Sequence, residues 1–255
     1  MNRVLSIITP VYEPRSEHLL AAYESLRDQQ MPEGWSWEWL VQEDGTTGVA
    51  RDILPADERI DFGTGRHNGV AITRNLALSR ARGELVKNFD QDDLLAPGVL
   101  SRDIASLADD SIGWTTSRVL DLLPDGTLEG FEHDPDEGAL APGDVFEHWR
   151  THNYRLPVHP TTLCIRRDLA VELGGWMAVP GSDDTGLLVS ASIRAKGWFS
   201  HEVGLYYRKW PGQGSGQAAH VEPVEWHARM HLIEERANVL AGRASSGEGV
   251  GHSGR

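Results

Sequence analysis

The sequence contains little cysteine, few basic residues and no long apolar run. Among its 255 residues there is one cysteine, Cys164, which excludes an internal disulfide and a cysteine-based zinc site. No apolar stretch could span a bilayer and the first residues lack a signal-peptide pattern, so we expect a cytoplasmic protein without a transmembrane segment. The 24 Lys and Arg residues face 38 Asp and Glu, a formal net charge of -14. Because such a chain repels phosphate backbones, we expect no nucleic-acid partner.

Short apolar segments alternate with helix-like segments over the first part of the chain. Hydrophobic residues make up 40% of the sequence and charged residues 24%, which is typical of a globular protein. The hydrophobic periodicity predicts, in order, a strand at 4–9, a helix at 16–30, strands at 37–42 and 59–62, a helix at 68–81 and a strand at 84–89. In the second helix Ile72 and Leu76 share one face. This alternation predicts an α/β fold with a mostly parallel sheet flanked by helices.

The second part of the chain is less regular. Residues 113–155 are rich in glycine, proline and acidic residues, and we interpret them as strands and loops laid over the sheet. A further strand is expected near 163–165 and helices at 185–196 and 221–240. In the first of these helices the apolar residues Leu187, Leu188 and Ala191 are expected to point inward.

No internal repeat or strong linker divides the chain. We therefore predict a single domain over residues 1–240, with two functional halves at 1–93 and 94–240. Residues 241–255 are rich in glycine and serine and have almost nothing to bury. For this reason we predict a disordered tail.

Three of the predicted strands end in polar or tightly turning sequences. They are followed by Pro10-Val11-Tyr12-Glu13, Glu43-Asp44-Gly45 and Asp90-Gln91-Asp92-Asp93. The carboxyl ends of parallel strands form the ligand-binding edge of such sheets. Aspartate and glycine also make ordinary turns, but three carboxylates within four residues repel one another unless a cation or hydrogen-bond donors neutralise them. Because carboxylate oxygens suit Mg²⁺ or Mn²⁺ rather than zinc, we expect a divalent metal that also binds substrate phosphates.

The order of the sequence motifs resembles that of a known family. They are Ser6-Ile7-Ile8-Thr9-Pro10-Val11-Tyr12, Glu43-Asp44-Gly45, Asn68-Gly69, Thr73-Arg74-Asn75, Gly83-Glu84, Asp90-Gln91-Asp92-Asp93, Pro97-Gly98, Gly174-Gly175-Trp176 and Ser182-Asp183-Asp184. The ordered set resembles the family 2 glycosyltransferases of the GT-A fold. This resemblance implies an inverting transferase that uses a nucleotide sugar, with 1–93 as the nucleotide-binding half and 94–240 as the acceptor-binding half.

The resemblance implies roles for residues of the nucleotide-binding half. The nucleotide sugar would be bound by Pro10, Val11, Tyr12, Glu13, Asp44, Arg74, Asp90, Gln91 and Asp92. Asp44 would bond the base and Arg74 would lie near the nucleotide, although residue type alone favours an exposed helix arginine. Asp90 and Asp92 would form an Asp-x-Asp pair that holds Mn²⁺ or Mg²⁺, with Asp92 as the direct ligand. The metal would bridge the diphosphate and offset the charge of the leaving group.

Two adjacent aspartates precede the predicted helix at 185–196. The resemblance implies that Asp184 is the general base that deprotonates the acceptor hydroxyl, and that Asp183 contacts or orients the acceptor. Ser182, Asp183 and Asp184 are also good capping residues, so a structural role stays open beside the catalytic one. A helix N-terminus would lower the pKa of Asp184 and make it a weaker base. A single displacement at the anomeric carbon would invert its configuration.

Aromatic and histidine side chains of the second half are further candidates. Trp176 and Trp210 are candidate acceptor contacts because sugar faces stack on aromatic rings, with core packing as the alternative for each. His159 is a candidate acceptor contact as well. His220 follows the glycine-rich stretch 212–216 and is a candidate third metal ligand, with an ordinary loop histidine as the alternative.

Other classes of protein fit these residues less well. The glycine spacing at 63–69 does not match a dinucleotide-binding loop, which disfavours an NAD oxidoreductase. A nucleotidyltransferase would share the metal and nucleotide chemistry, but it usually has a glycine-rich phosphate loop after its first strand. A catalytically degenerate module that binds a sugar nucleotide or a glycan is the non-enzyme alternative. For the transferase, a UDP-sugar is the default donor, and we expect one hexosyl or N-acetylhexosaminyl group to be moved to an acceptor hydroxyl.

Overall fold

The computed structural model describes residues 3–131, 134–213 and 222–242. Within these residues ten strands form one mixed sheet. The strands are β1 (Arg3–Val11), β2 (Trp35–Glu43), β3 (Ile60–Gly63), β4 (Leu85–Asn88), β5 (Leu94–Leu95), β6 (Ile112–Leu122), β7 (Leu128–Gly130), β8 (Gly138–Leu140), β9 (Cys164–Arg166) and β10 (Lys196–Arg208). The helices are α1 (Ser16–Arg27), α2 (Val49–Ile53), α3 (Val70–Leu78), α4 (Val99–Ser106), α5 (Asp144–Thr151), α6 (Arg167–Glu172), α7 (Asp183–Arg194) and α8 (Pro223–Leu240).

Strand β1 lies at the centre of the N-terminal half. It pairs in parallel with β2 and β4, and β2 pairs in parallel with β3. Ile7 and Ile8 are fully buried in two separate apolar clusters, so β1 is covered on both faces, as in other parallel sheets. The register joins Val11 to Glu43 and Ile8 to Asn88. The three polar segments that follow these strands therefore meet at one edge, which confirms the prediction from the sequence.

The sheet changes direction in the second half of the chain. Strand β9 pairs antiparallel with both β4 and β6, and β10 runs parallel to β6. Our expectation that residues 113–155 lie over the sheet is wrong for β6, which is a long internal strand. Its burial includes Trp114 and Val119 but also Thr115 and Thr116. Threonine has a β-branched side chain that suits a strand, but its polarity interrupted the apolar run in the sequence.

Helix α3 packs a small-residue face against the sheet. Ala71 and Ala77 are buried on this face together with Arg74, whereas Ile72 and Leu76 are exposed. The face that Ile72 and Leu76 share therefore points toward solvent. Alanine allows the helix to approach the sheet closely, and the buried side chains of the helix include a charged one, that of Arg74.

The two C-terminal helices follow the prediction closely. Helix α7 starts two residues before the predicted position, and Leu187, Leu188 and Ala191 are buried as expected. Helix α8 covers the predicted segment from Pro223 onward. Residues 243–255, most of the predicted tail, lie outside the described residues. None of the helices described here has the length and apolar character required to cross a membrane, and the cytoplasmic location stays a prediction.

Candidate active site

A cavity of about 790 Å³ lies where the segments after β1, β2 and β4 meet the start of α7. Most of the site residues predicted from the sequence line this cavity. They are Pro10, Val11, Tyr12, Glu13, Asp44, Arg74, Asp90, Gln91, Asp92, His159, Asp183, Asp184 and Trp210. The two halves of the chain thus contribute side chains to the same hollow.

Arg74 connects the two halves of the cavity. Its side chain is 4% exposed, and it donates from Nη2 to Asp90 Oδ1 and from Nη1 to Asp183 Oδ2, each at 2.6 Å. Burial disfavours the charge on Arg74, yet the nearby carboxylates, Asp183 foremost, outweigh burial and raise the pKa of the guanidinium. The interpretation of Arg74 as an exposed helix arginine is therefore wrong. A permanent cation holds the turn after β4 against the start of α7.

The turn after β4 places its three aspartates in different surroundings. Asp90 is bound by Arg74, as described above. Asp92 Oδ2 accepts a hydrogen bond from Trp210 Nε1 at 2.7 Å, and burial raises the pKa of Asp92 despite this bond. Asp93 is fully buried and accepts from the backbone N–H of Arg208 at 2.9 Å, and burial raises its pKa well above the ordinary value. Asp90 and Asp92 thus line the cavity, while Asp93 ties the turn to β10.

The first turn of α7 presents two carboxylates to the cavity. Ser182 precedes the helix in a left-handed conformation, with φ of 59°, and its side chain makes no capping hydrogen bond. Asp184 Oδ1 accepts from the backbone N–H of Thr185 at 2.6 Å. Burial raises the pKa of Asp183 to about 6 and also raises that of Asp184, while Arg74 opposes both shifts. Our expectation that the helix terminus lowers the pKa of Asp184 is wrong, because burial outweighs it.

Asp44 organises the loop at the end of the cavity that lies beside β1 and β2. Its Oδ1 accepts from the backbone N–H of Asn68 at 2.7 Å, and its Oδ2 lies 3.0 Å from His67 Nδ1. The His67 ring stacks on Tyr12 with the centroids 4.7 Å apart. Gln91 in turn bonds both the backbone N–H and the carbonyl of Tyr12. Sequence reasoning missed His67, whose only signal was its position beside the Asn68-Gly69 motif.

The rings of His159 and Tyr207 also line the cavity. Their centroids are 4.9 Å apart, and the centroid of the Phe131 ring lies 6.2 Å from that of His159. His159 Nδ1 lies 2.7 Å from Thr161 Oγ1. Burial lowers the pKa of His159 to about 4, so the ring is neutral near pH 7. Tyr207, which sequence reasoning missed, also lines the cavity.

The two tryptophans singled out from the sequence occupy different places. Trp210 lines the cavity, but its indole N–H is used by Asp92. The structure instead places Trp176 in the core, 2% exposed, in an apolar cluster away from the cavity lining. Its backbone N–H and carbonyl both bond the Asn75 side chain, at 3.0 and 2.8 Å. The acceptor contact predicted for Trp176 does not hold here, because Gly174-Gly175 turns the chain inward before α7.

Two of the metal ligands predicted from the sequence, Asp90 and Asp92, lie on the cavity wall. Among the residues that the structure describes, no group of three or more His, Cys, Asp or Glu side chains is arranged to hold a metal ion. Asp90 and Asp92 supply two carboxylates on the cavity wall, and burial of Asp92 beside Asp90 leaves a negative site that a cation would stabilise. Mg²⁺ and similar ions are commonly bound by one or two carboxylates together with substrate phosphates, so this pair fits such an ion. His220 lies outside the described residues.

The fold and cavity define a GT-A-type α/β protein, and comparisons with known proteins agree. The structure of S. aureus TarS 1-349 in complex with UDP-GlcNAc matches with a TM-score of 0.65 and 19% identity, covering 94% of this chain and 70% of that one. TarS 1-349 in complex with UDP matches with a TM-score of 0.62 and 18% identity over the same shares. At these identities the likeness concerns the fold, and the fold class predicted from the sequence is confirmed.

The sequence comparisons point to the same family as the sequence motifs. A family model described as "Glycosyl transferase family 2" matches residues 6–129. The "Putative teichuronic acid biosynthesis glycosyltransferase TuaG" of Bacillus subtilis (strain 168) is 31% identical over 139 residues, which is 52% of this chain and 54% of that protein. This chain therefore matches about half the length of that curated relative. Residues 6–129 are thus similar to glycosyltransferase family 2, in agreement with the resemblance noted from the sequence.

Proposed function

We propose that this protein is a metal-dependent inverting glycosyltransferase. It moves one sugar from a nucleoside-diphosphate sugar to an acceptor hydroxyl by a single displacement. The observation that carries this proposal is the cavity itself, where Asp90 and Asp92 from one half of the chain and Asp184 from the other line the same hollow. Arg74 fixes the two groups relative to each other through its bonds to Asp90 and Asp183.

The donor is bound at the edge formed by β1, β2 and β4. We propose that Tyr12 and Asp44 hold the nucleobase, with His67 completing the contact through its stack on Tyr12. Two of the similar structures are described as complexes of TarS with UDP and with UDP-GlcNAc. A UDP-sugar is therefore our choice of donor for this chain, and a hexosyl or N-acetylhexosaminyl group our choice of transferred sugar.

Asp92 and Asp90 would hold Mn²⁺ or Mg²⁺ at the diphosphate. Once bound, such an ion acts as a Lewis acid that offsets the charge on the leaving diphosphate. The protein prepares Asp92 for this role, because the Trp210 indole fixes one carboxylate oxygen at 2.7 Å and leaves the other available. Arg74 fixes Asp90 in the same way from the helix side.

Asp184 acts as the general base. It removes the proton of the acceptor hydroxyl while the acceptor oxygen forms a bond to the anomeric carbon and the bond from that carbon to the diphosphate breaks. The nucleoside diphosphate departs with the bonding electrons, and the configuration of the sugar inverts. Burial raises the pKa of Asp184, which makes this carboxylate more basic than an exposed aspartate. Its hydrogen bond from Thr185 N–H and the adjacent Arg74–Asp183 pair keep it oriented.

Replacing Asp184 with asparagine tests this assignment. Asp168 offers a matched control, because it also lies in the first turn of a helix. Its Oδ1 accepts a hydrogen bond from the backbone N–H of the next residue, Leu169, at 2.8 Å. We expect Asp184→Asn to lower donor hydrolysis and transfer by about 10²–10⁴-fold while Mn²⁺-dependent UDP binding is retained. Asp168→Asn should leave both unchanged.

The same assay separates the rival functions. Release of UDP from the nucleotide sugar accompanies glycosyl transfer, whereas a nucleotidyltransferase would release inorganic diphosphate from UTP in a parallel reaction supplied with UTP and a sugar 1-phosphate. UDP binding without any hydrolysis or transfer by the wild-type protein would indicate a degenerate binding module. Undiminished transfer by Asp184→Asn would refute the role of Asp184 as base. NMR of the sugar product reports whether the anomeric configuration has inverted.

A further inference from the structure

The acceptor positions of Asp44 are taken up by donors of the protein itself. Its Oδ1 accepts from the backbone N–H of Asn68 at 2.7 Å and from that of Gly69 at 3.3 Å. Its Oδ2 accepts from the same Gly69 N–H at 3.1 Å and lies 3.0 Å from His67 Nδ1. A carboxylate offers about four lone-pair positions, and the Asp44 side chain is 6% exposed. Asp44 therefore fixes the loop before α3 and has little capacity left for a ligand.

The contact with Asp44 sets the tautomer of His67. An ionised carboxylate can only accept a hydrogen bond, so the hydrogen of this contact is on His67 Nδ1. A neutral imidazole with its hydrogen on Nδ1 carries a lone pair on Nε2. In the described part of the chain, the ring contacts of His67 are the one with Asp44 and the stack on Tyr12. Nε2 is thus an acceptor that a ligand can use.

The His67 ring is accessible and yet held in place. It stacks on Tyr12 with the centroids 4.7 Å apart and the ring planes 30° apart. The Tyr12 backbone is itself fixed by Gln91, which accepts from its N–H at 3.2 Å and donates to its carbonyl at 3.0 Å. The His67 side chain is 64% exposed and lines the same cavity as Tyr12 and Gln91. His67 therefore offers an oriented hydrogen-bond acceptor at the cavity wall.

We infer that His67 recognises the donor base, with Nε2 accepting a hydrogen bond from a ring N–H of that base. Uracil at N3 and guanine at N1 carry such an N–H, whereas cytosine and adenine have a lone pair at the same ring position. The inference rests on the proposed transferase function and deepens its donor site, because Asp44 then holds the base through His67 as a positioning residue. Two facing lone pairs would leave both acceptors unpaired, which disfavours cytosine and adenine.

The test compares nucleotides in pairs of equal ring size. Binding of UDP, CDP, GDP and ADP to the wild-type protein is measured by isothermal titration calorimetry with Mn²⁺ at about pH 8, where an ordinary imidazole is neutral. We expect UDP to bind at least about tenfold more tightly than CDP, or GDP at least about tenfold more tightly than ADP. The pair that shows this difference tells which of the two bases the donor carries.

Replacing His67 with phenylalanine isolates the contribution of Nε2. His67→Phe keeps a ring that can stack on Tyr12 but has no acceptor, so the preference should fall to about threefold or less and the preferred nucleotide should bind about 3–10-fold more weakly. His227→Phe is the matched control. His227 is also exposed, contacts the Trp226 ring with the centroids 4.9 Å apart and has Nδ1 2.6 Å from the Pro223 carbonyl, but it does not line the cavity. This variant should keep both the affinities and the preference.

A role of His67 in supporting the loop alone would give a different result. Both members of a pair would then bind more weakly by the same factor in His67→Phe, and the unchanged preference would overturn the inference. Equal binding of both members of each pair by the wild-type protein, or tighter binding of CDP and ADP, would overturn it as well. If none of the four nucleotides binds, the proposed donor site itself is contradicted and the inference falls with it. Thermal unfolding without nucleotide verifies that both variants are folded.

Discussion

Replacing Arg74 with glutamine would leave two carboxylates without their counter-charge. The Arg74 side chain is 4% exposed, that of Asp183 3% and that of Asp90 23%, so the bond to Asp183 is fully shielded from solvent and the bond to Asp90 largely so. Removing one partner of a buried ion pair costs about 3–5 kcal/mol of unfolding free energy, because the remaining charge stays desolvated. For a protein of this size that corresponds to a fall in Tm of about 6–20 °C.

The loss of unfolding free energy in Arg74→Gln should increase as the pH rises. Even with Arg74 in place, burial raises the pKa of Asp183 to about 6. Without Arg74 the pKa of Asp183 in the folded state rises further above its value in the unfolded state. At low pH the Asp183 carboxyl is protonated and its burial costs little. As pH rises through the folded-state pKa, the carboxyl ionises and the folded state loses stability. The deficit in unfolding free energy should therefore be larger at pH 8 than at pH 5.

Urea unfolding followed by circular dichroism at these two pH values measures the effect. Arg194→Gln is the matched control, because Arg194 pairs with Glu172 at 2.7 Å with both side chains about half exposed, and such pairs contribute about 0–1 kcal/mol. The double variant Arg74→Gln/Asp183→Asn should recover part of the loss, since both partners of the pair are then neutral. A deficit no larger than that of Arg194→Gln, or one that grows toward pH 5, would refute this reasoning.

Three further predictions concern the carboxylates and their supports. Trp210→Phe removes the hydrogen bond to Asp92 and should weaken Mn²⁺-dependent UDP binding about 10–100-fold in calorimetry, while UDP binding without metal is unchanged. Gly175→Ala adds a Cβ against the Asn75 side chain at a φ of 69° and should cost at least about 1–3 kcal/mol in urea unfolding. The acidic limb of the kcat/KM profile should lie above the pH 3.8 of an ordinary aspartate, because burial raises the pKa of Asp184 and the base must be ionised.

Each of these predictions has a contrary result. Equal weakening of UDP binding by Trp210→Phe with and without Mn²⁺ would place the indole at the nucleotide rather than at the metal carboxylate. Unchanged stability of Gly175→Ala would mean that the Asn75 bonds to the Trp176 backbone are dispensable. An acidic limb at pH 3.8 or below would indicate an exposed base, which disagrees with the burial of Asp184.

The sequence predicted the first half of the fold better than the second for a physical reason. Strand β1 is apolar on both faces, so its run of β-branched residues is visible without any knowledge of its neighbours. Strand β6 buries Thr115 and Thr116 beside Trp114, and this mixture does not look apolar until the partner strands are known. The inner face of α3 is similarly hard to predict, because it includes small alanines and an arginine whose partners come from distant segments.

The residues of the candidate site, too, were predictable from the sequence only where they follow a recognisable strand. Asp44, Asp90 and Asp92 were predictable because they directly follow strands that end at one edge of the sheet. The hydrogen bond between Arg74 and Asp183 joins residues that are 109 positions apart, so no local sequence pattern predicts it. Trp176 misled the sequence interpretation because it lies close to Asp183-Asp184 along the chain, whereas the intervening turn places it in the core.

The central claim is that the Asp90–Asp92 turn binds a nucleoside diphosphate through a divalent metal ion. Thermal unfolding of the wild-type protein and of Asp92→Asn, with UDP in the presence and absence of Mn²⁺, tests it directly. At about 100 times the dissociation constant, UDP with Mn²⁺ should stabilise the wild-type protein by about 2.7 kcal/mol. That is a rise in Tm of about 5–11 °C. Without Mn²⁺, or in Asp92→Asn, only the smaller rise from metal-independent UDP binding should remain. An unchanged wild-type Tm with every nucleoside diphosphate tested, or an equal rise in Asp92→Asn, would contradict the claim.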